Sequence, residues 1–409
     1  MCKDYLSKLG PCKAIATLVI FGASWVTAYA GPFDTVKPYV SYSEAYESNI
    51  LDLPSSAVAV QVLGSPSMSD VTRTEQIGVS VDDLIGLQHI TADVSDSNVD
   101  FRRLSSLNYQ APNAKGNWNW NIQDDLTGNL GGSYSKSLAP FIYFHLPEKN
   151  LQVLKLANFD LAWHFHPSWR AVASVDMVQL SFALPSQQPY SRNEYHTLAG
   201  FDYVAADKSS VGIQVGNLRT YFPYPQLFGT EEIANNSSQD EFKLKVDWNF
   251  SDKTQFQFLG GWVDRKYNVL TNQNYSGWNE RVGMVWTPTA KLYLNVMAWN
   301  EIGAVDGLTT VYAINHGISV TPAWIISEKM RLDAQFKVEK HTFNETPGVT
   351  SALVSGTGYT AHSDMLTYTY SPTSKWKIAA SASHISQSTS DNSNSFAGYA
   401  INGNVRFQF

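Results

Sequence analysis

The 409-residue chain is 44% hydrophobic and 16% charged, carries a formal net charge of −7, and has its only two cysteines, Cys2 and Cys12, near the amino terminus. With no surplus of basic residues, nucleic acid is excluded as a natural partner. With no cysteine beyond Cys12, the rest of the chain has no disulfide, no thiol catalysis and no cysteine-ligated metal.

In chain order, Lys3, Lys8 and Lys13 precede the apolar run "AIATLVIFGASWV" at 14–26, and Ala28-Tyr29-Ala30 follow it. A basic segment, an apolar segment and small residues two apart are the signature of a secretory signal peptide, with cleavage expected after Ala30. The run is shorter than the roughly 18–20 apolar residues that a membrane helix needs. Removing residues 1–30 leaves 26 basic and 35 acidic residues, and the mean hydropathy of the whole chain is slightly negative at −0.21. No later stretch is long and apolar enough to be a helix in lipid. A membrane protein without such helices must be a closed barrel, because closure alone satisfies every backbone group in hydrocarbon.

Alternating segments fill residues 31–409. The turns "HPSW" (166–169), "ADKS" (206–209), "SDKT" (251–254), "TPTA" (287–290), "SEKM" (327–330) and "SPTS" (371–374) recur 36 to 45 residues apart. Longer polar stretches at 223–239, 344–358 and 386–396 separate them. Short turns at one end and long loops at the other are the asymmetry of outer-membrane barrels. The segments predict a single transmembrane antiparallel barrel over 31–409 with about 18 strands, from 36–47 to 396–409. Its place is the bacterial outer membrane, with outer-membrane lipid and the barrel-assembly machinery as partners.

The strands have two unlike faces. In "EFKLKVDWNF", Phe242, Leu244, Val246, Trp248 and Phe250 oppose Lys243, Lys245, Asp247 and Asn249. In "KMRLDAQFKVEKH", Leu332, Ala334, Phe336 and Val338 oppose Arg331, Asp333, Gln335, Lys337 and Glu339. The reverse register would place cations in lipid at about 2–4 kcal/mol each, so the charged face is assigned to the lumen. Trp120, Trp163, Trp169, Trp248, Trp286, Trp324 and Trp376 all fall close to short turns. That position predicts an aromatic girdle at the inner interface. The closing segment "YAINGNVRFQF" puts Phe407 and Phe409 in the same girdle, with Phe409 as the terminal aromatic of the assembly signal.

The inward face defines the candidate site: Lys243, Lys245, Asp247, Lys291, Tyr293, Asn295, Trp299, Glu301, Arg331, Asp333, Lys337, Glu339 and Arg406, with Asp160, Arg170 and Asp176 alongside. Both signs are mixed, which argues against a strongly ion-selective pore. Such a lumen either neutralises itself and stays hydrated or guides a polar polymer. Trp299 stands apart from the other tryptophans: by parity it faces the lumen, far from a short turn, either packed against an inward loop or stacking on a sugar ring. His164 and His166 have a spacing that can chelate a metal, but turn placement favours an interfacial role. His384 has no companions for nucleophilic catalysis. No enzyme activity and no cofactor are expected.

"SYSEAYESNILDLP" (41–54), "SSLNYQAPNAKGNWNWNIQDDLTGNLGGSYSKSLAPF" (105–141) and "WNERVGMVWTPTAKLYLNVMAWNEIG" (278–303) resemble the EpsL-type outer-membrane proteins of exopolysaccharide and exosortase (PEP-CTERM) clusters. The resemblance implies a non-enzymatic barrel that assists exopolysaccharide export or surface assembly, with the polymer and polysaccharide-export proteins as partners. A general or substrate-selective diffusion porin, and a docking barrel plugged by residues 48–72, are the alternatives.

Overall fold

A computed structural model describes residues 35–123, 125–228, 231–303, 312–343, 358–389 and 394–409. The expected signal peptide, nearly all of the polar stretch at 344–358 and part of that at 386–396 lie outside the described residues.

The barrel strands are β1 (Val36–Glu47), β2 (Asp70–Ile85), β3 (Gln88–Phe101), β4 (Asn113–Ile122), β5 (Leu126–Leu138), β6 (Leu151–His166), β7 (Trp169–Phe182), β8 (Arg192–Val204) and β9 (Ser210–Tyr221). They continue as β10 (Ser237–Ser251), β11 (Thr254–Tyr267), β12 (Tyr275–Thr289), β13 (Leu292–Gly303), β14 (Ala313–Ser327), β15 (Met330–Phe343), β16 (Gly358–Tyr370), β17 (Trp376–Thr389) and β18 (Phe396–Gln408). Each pairs antiparallel with its sequence neighbour, and β18 returns to β1 with Tyr39 opposite Gln408 and Glu47 opposite Ala400. The sheet is therefore a closed 18-stranded barrel, and each predicted strand has its counterpart. The two-residue segment Tyr109–Gln110 adds to the end of β3 before β4 begins.

Turns of two to five residues join β2 to β3, β4 to β5 and so on to β16–β17, all at one end; the longer connections lie at the other. Strand pairing fixes which side chains share a face. Outward residues include Phe242 (55% exposed), Phe250 (59%), Trp286 (43%) and Ile401 (58%), and exposed aliphatic and aromatic side chains recur on strand after strand. An apolar belt of this extent around a closed wall is a lipid-facing surface. This is a bacterial outer-membrane barrel.

The girdles form where the interface residues belong. At the short-turn end, Trp248, Phe250 and Phe256 pack with centroids 5.1–6.0 Å apart, Trp169 meets Tyr203 edge-on at 5.4 Å, and Trp376, Phe407 and Phe409 form a chain at 4.7 and 5.0 Å. Toward the long-loop end, Trp262 sits opposite Trp278 in the register. Their indole N–H groups donate to Ser276 Oγ and Glu280 Oε2, both at 2.9 Å. One edge wet and one face in lipid is the preference that concentrates tryptophan at interfaces.

The first long connection is not a slack loop. Ser55 caps the helix α1 (Ser56–Leu63) by accepting from the Val58 N–H, and Gly64 ends it at φ 66°. Ile50, Leu51, Leu53 and Ala59 bury against Val99 and Phe101 of β3, Leu107 and Phe141. Val99 and Phe101 stand on the inward face of β3, opposite in phase to the exposed Val94, so this knot folds into the outer mouth. The Asn49 side chain bonds both the N–H and the C=O of Leu53 at 2.9 Å and reaches the carbonyl of Ala397. The Asp70 carboxylate accepts the N–H groups of Arg103 and Leu104, both at 2.9 Å. His145 Nδ1 lies 3.0 Å from the Leu51 carbonyl.

Candidate functional site: the lumenal wall

Charged side chains on the inward face pair within short reach. Residues two apart in a strand share a face, so one strand can neutralise itself. This happens at Arg192–Glu194 (2.6 Å), Lys243–Glu241 (2.7 Å), Lys245–Asp247 (3.3 Å), Arg331–Asp333 (2.6 Å) and Lys337–Glu339 (2.7 Å). Between strands, Arg170 pairs with Asp202 at 2.6 Å and Arg281 with Glu301 at 2.6 Å. His196 stands between Glu241 (3.4 Å) and Asp176 (3.8 Å). The Arg265 Nε donates to Gln239 Oε1 at 2.8 Å. Closed pairs of this kind hold the wall rigid and hydrated without giving it one dominant sign.

A different chemistry covers β4–β6. Asn129 donates to the side-chain oxygens of Asn117 and Asn119 at 2.6 and 2.7 Å, and Asn158 donates to Asn129 Oδ1 at 2.7 Å and to Asp160 Oδ2 at 3.0 Å. This arc is rich in side-chain amides, with the Asp160 carboxylate among them, and faces a lumen that is ion-paired along β7–β15.

Of the predicted lumenal residues, Lys243, Lys245, Asp247, Glu301, Arg331, Asp333, Lys337 and Glu339 all enter the ion pairs above. Asn295 and Trp299 lie on the inward face of β13. Tyr293 begins that face at the inner rim, 36% exposed. Arg406 projects inward from β18, its guanidinium 3.4 Å from the centroid of the Tyr39 ring. Lys291 departs from the prediction. It occupies the two-residue turn before β13, exposed, with Nζ 3.5 Å from the Ile326 carbonyl. Alternation read from sequence carried one residue too far into that turn, because β13 begins at Leu292.

Trp299 packs on the wall itself rather than against an inward loop. Its ring lies over Gly317 on the neighbouring strand, its N–H donates to Glu339 Oε1 at 2.8 Å, and Lys337 Nζ stands 5.4 Å from the ring centroid. Glu339 thereby accepts from Trp299 and pairs with Lys337, and His341 Nε2 lies 3.2 Å from it. Of the His164 and His166 pair, His166 Nδ1 accepts the Ser168 N–H at 3.1 Å within the turn. His384 shares the outward face with Tyr399 and lies 3.9 Å from Asp364.

Partners such as Glu194, Asp202, Glu241 and Arg281, and the inward Lys377, were not singled out from the sequence. The i, i+2 partners carry a readable signal, since "RNE" at 192–194 and "EFK" at 241–243 place opposite charges on one face. Arg170–Asp202 and Arg281–Glu301 needed the interstrand register.

No family model matches the chain, and no curated protein matches it. Among solved structures it is similar to Pseudomonas aeruginosa OpdK with vanillate, at 10% identity and TM-score 0.46 over 91% of this chain and 99% of that one. It is similar to Pseudomonas aeruginosa OccK9 (OpdG), at 8% identity and TM-score 0.46 over 91% and 98%. A third is the alcaligin outer-membrane receptor FauA of Bordetella pertussis, at 10% identity and TM-score 0.40 over 91% and 76%.

Proposed function

We propose that the protein is a non-enzymatic channel that lets small polar solutes diffuse across the outer membrane. The observation that carries this reading is an 18-stranded closed wall whose inward face bears polar side chains on every strand. Barrels of 16–18 strands are too wide for their own side chains to fill, and the enclosed space is aqueous. Paired lumenal charges suit such a role, since they keep the passage wet without trapping a solute of either sign. Purified full-length protein in planar bilayers is expected to give stepwise conductance, and a barrel that inserts without conducting overturns the reading. That same outcome would favour a docking barrel closed by the folded 48–69 segment.

Export of an exopolysaccharide is the second reading, supported by the EpsL resemblance and by Trp299. An indole beside a carboxylate and an ammonium offers a pyranose one apolar face and hydrogen-bond partners for its hydroxyls. In this reading the partners include polysaccharide-export proteins, and the native polymer blocks the conductance from the periplasmic side. The barrel-assembly machinery remains the expected partner for insertion under both readings.

A further inference from the structure

The lipid-facing wall carries a shaped recess at the short-turn end of β12–β15. Its volume is about 230 Å³ and its lining is apolar. Two rungs of outward residues run across it: Trp286, Leu294 and Pro322 are successive register partners, and so are Leu292, Trp324 and Leu332. The surface dips because Pro322 and Ala334 are short where their neighbours present indole and leucine side chains. Pro322 has no N–H to give the ladder, and β14–β15 pairing is interrupted between Val320 and Ala323. That break accommodates a proline in a strand with neighbours on both sides.

A base stands at the periplasmic end of this recess. Lys291 occupies the turn from β12 to β13, next to Leu292, and its Nζ lies 3.5 Å from the carbonyl of Ile326, two residues beyond Trp324. The ammonium is therefore placed between the ends of β13 and β14, on the aqueous side of the two rungs. A lysine stem can lie along apolar surface while its charge stays in water. The adjoining turns differ from this one. Asp252 sits beside Lys253 and Glu328 beside Lys329, so each of those turns offsets its own base, whereas residues 287–291 hold no acid. All five of these charged residues are exposed. Lys291 is the surplus positive charge on this stretch of rim, and the apolar slot beside it is flanked by two tryptophans of the inner girdle.

We propose that the recess and Lys291 bind one anionic phospholipid of the periplasmic leaflet, with an acyl chain between Trp286 and Trp324 and the phosphate on the Lys291 ammonium. Short turns face the periplasm in barrels of this kind, and that leaflet is made of phospholipid. The recess takes a run of methylenes but is too small for a helix, a cylinder about 10–12 Å across, so a lipid chain fits where a helical partner does not. Basic side chains at the membrane surface attract anionic headgroups. A zwitterionic lipid brings its own ammonium toward Lys291, which sets the preference for net negative charge. The site belongs to the lipid-facing wall and is independent of what the lumen conducts.

The test titrates delipidated, heat-modifiable barrel in detergent micelles with dioleoylphosphatidylglycerol and dioleoylphosphatidylethanolamine, and counts bound lipid by native mass spectrometry. The first phosphatidylglycerol is expected to bind at least fivefold tighter than the first phosphatidylethanolamine. Lys291→Gln is expected to abolish that preference. Ala334→Phe, which fills the recess with a side chain that lipid tolerates, is expected to weaken phosphatidylglycerol at least fivefold; if it does not assemble, Ala334→Leu takes its place. Lys375→Gln removes a base from the turn between β16 and β17, controls for loss of charge alone, and is expected to leave the preference intact. Equal affinity for the two lipids, a preference that survives Lys291→Gln, a filled recess that binds like wild type, or an equal loss in Lys375→Gln overturns the proposal. A barrel that stays dimeric and excludes both lipids assigns the recess to a second copy of the chain and overturns it as well.

Discussion

Trp299 lies flat against Gly317, its register partner on the adjacent strand. A Cβ added at 317 would sit 2.5 Å from Trp299 Cε2 and 2.9 Å from Cη2. The absent side chain at 317 is therefore what turns the indole parallel to the wall and brings its N–H to Glu339. Gly78 does the same for Tyr39. At both sites a glycine in mid-strand makes room for an aromatic ring that then orients a charged group.

Gly317→Ala is expected to cost about 1–3 kcal/mol, the usual penalty for overpacking. Most of that loss should vanish when Trp299→Ala is present as well, because the clash partner is gone. Urea unfolding of the refolded barrel measures both, and additive losses would contradict the contact. Trp299→Ala alone should assemble normally, since the ring is lumenal and bears no part of the lipid-facing belt. If the lumen conducts a polysaccharide, the same variant should lower polymer export while folding is preserved.

Phe409 closes the inner girdle. It is 64% exposed on the outward side, packs edge-on against Phe407, and its backbone N–H donates to the Pro38 carbonyl at 3.0 Å across the seam between the first and last strands. Phe409→Asp should reduce the yield of heat-modifiable barrel in cells, because a carboxylate would replace the terminal aromatic at the interface. Leu294→Lys, on the lipid face of β13, should act more strongly, at about 2–4 kcal/mol if it lies near the midplane. Wild-type yields from both variants would show that the outward assignment of these strands is wrong.

Strand number and face assignment were legible because alternation of apolar and polar residues is a local signal, and a register slip by one would put Arg331 and Lys337 in lipid. Tryptophan placement located the inner girdle for the same reason. The knot at 48–69 falls within residues 48–72, which the sequence offered only as the plug of the docking-barrel alternative. Its helix "SAVAVQVL" is too short for a periodic pattern, and its core comes from Val99, Leu107 and Phe141, far along the chain. The partner of Trp299 was hidden as well, since a glycine opposite an indole appears only once two strands are aligned.

The outer knot contains a buried titratable residue, Asp52, which has φ 53° and lies outside the strands. Burial, and then the neighbouring Glu47 carboxylate, push the Asp52 carboxyl up to about 7. Asp70, whose oxygens are bonded to backbone N–H groups, His145, which burial holds below its ordinary range, and Tyr109, which burial raises, also pack into or beside the knot. A carboxyl raised in the folded state binds more protons there than in the unfolded chain. Its stabilising contribution is therefore complete below about pH 4, the ordinary carboxylate value, and is lost as the pH rises through about 7. Hydrogen exchange of residues 48–69 should be slower at pH 5 than at pH 8 once corrected for the intrinsic rate. Asp52→Asn keeps a residue that tolerates positive φ and removes the ionisation, so its corrected exchange should stay slow across that interval. Equal pH dependence in the variant and the wild type would assign the change to Glu47 or another group instead.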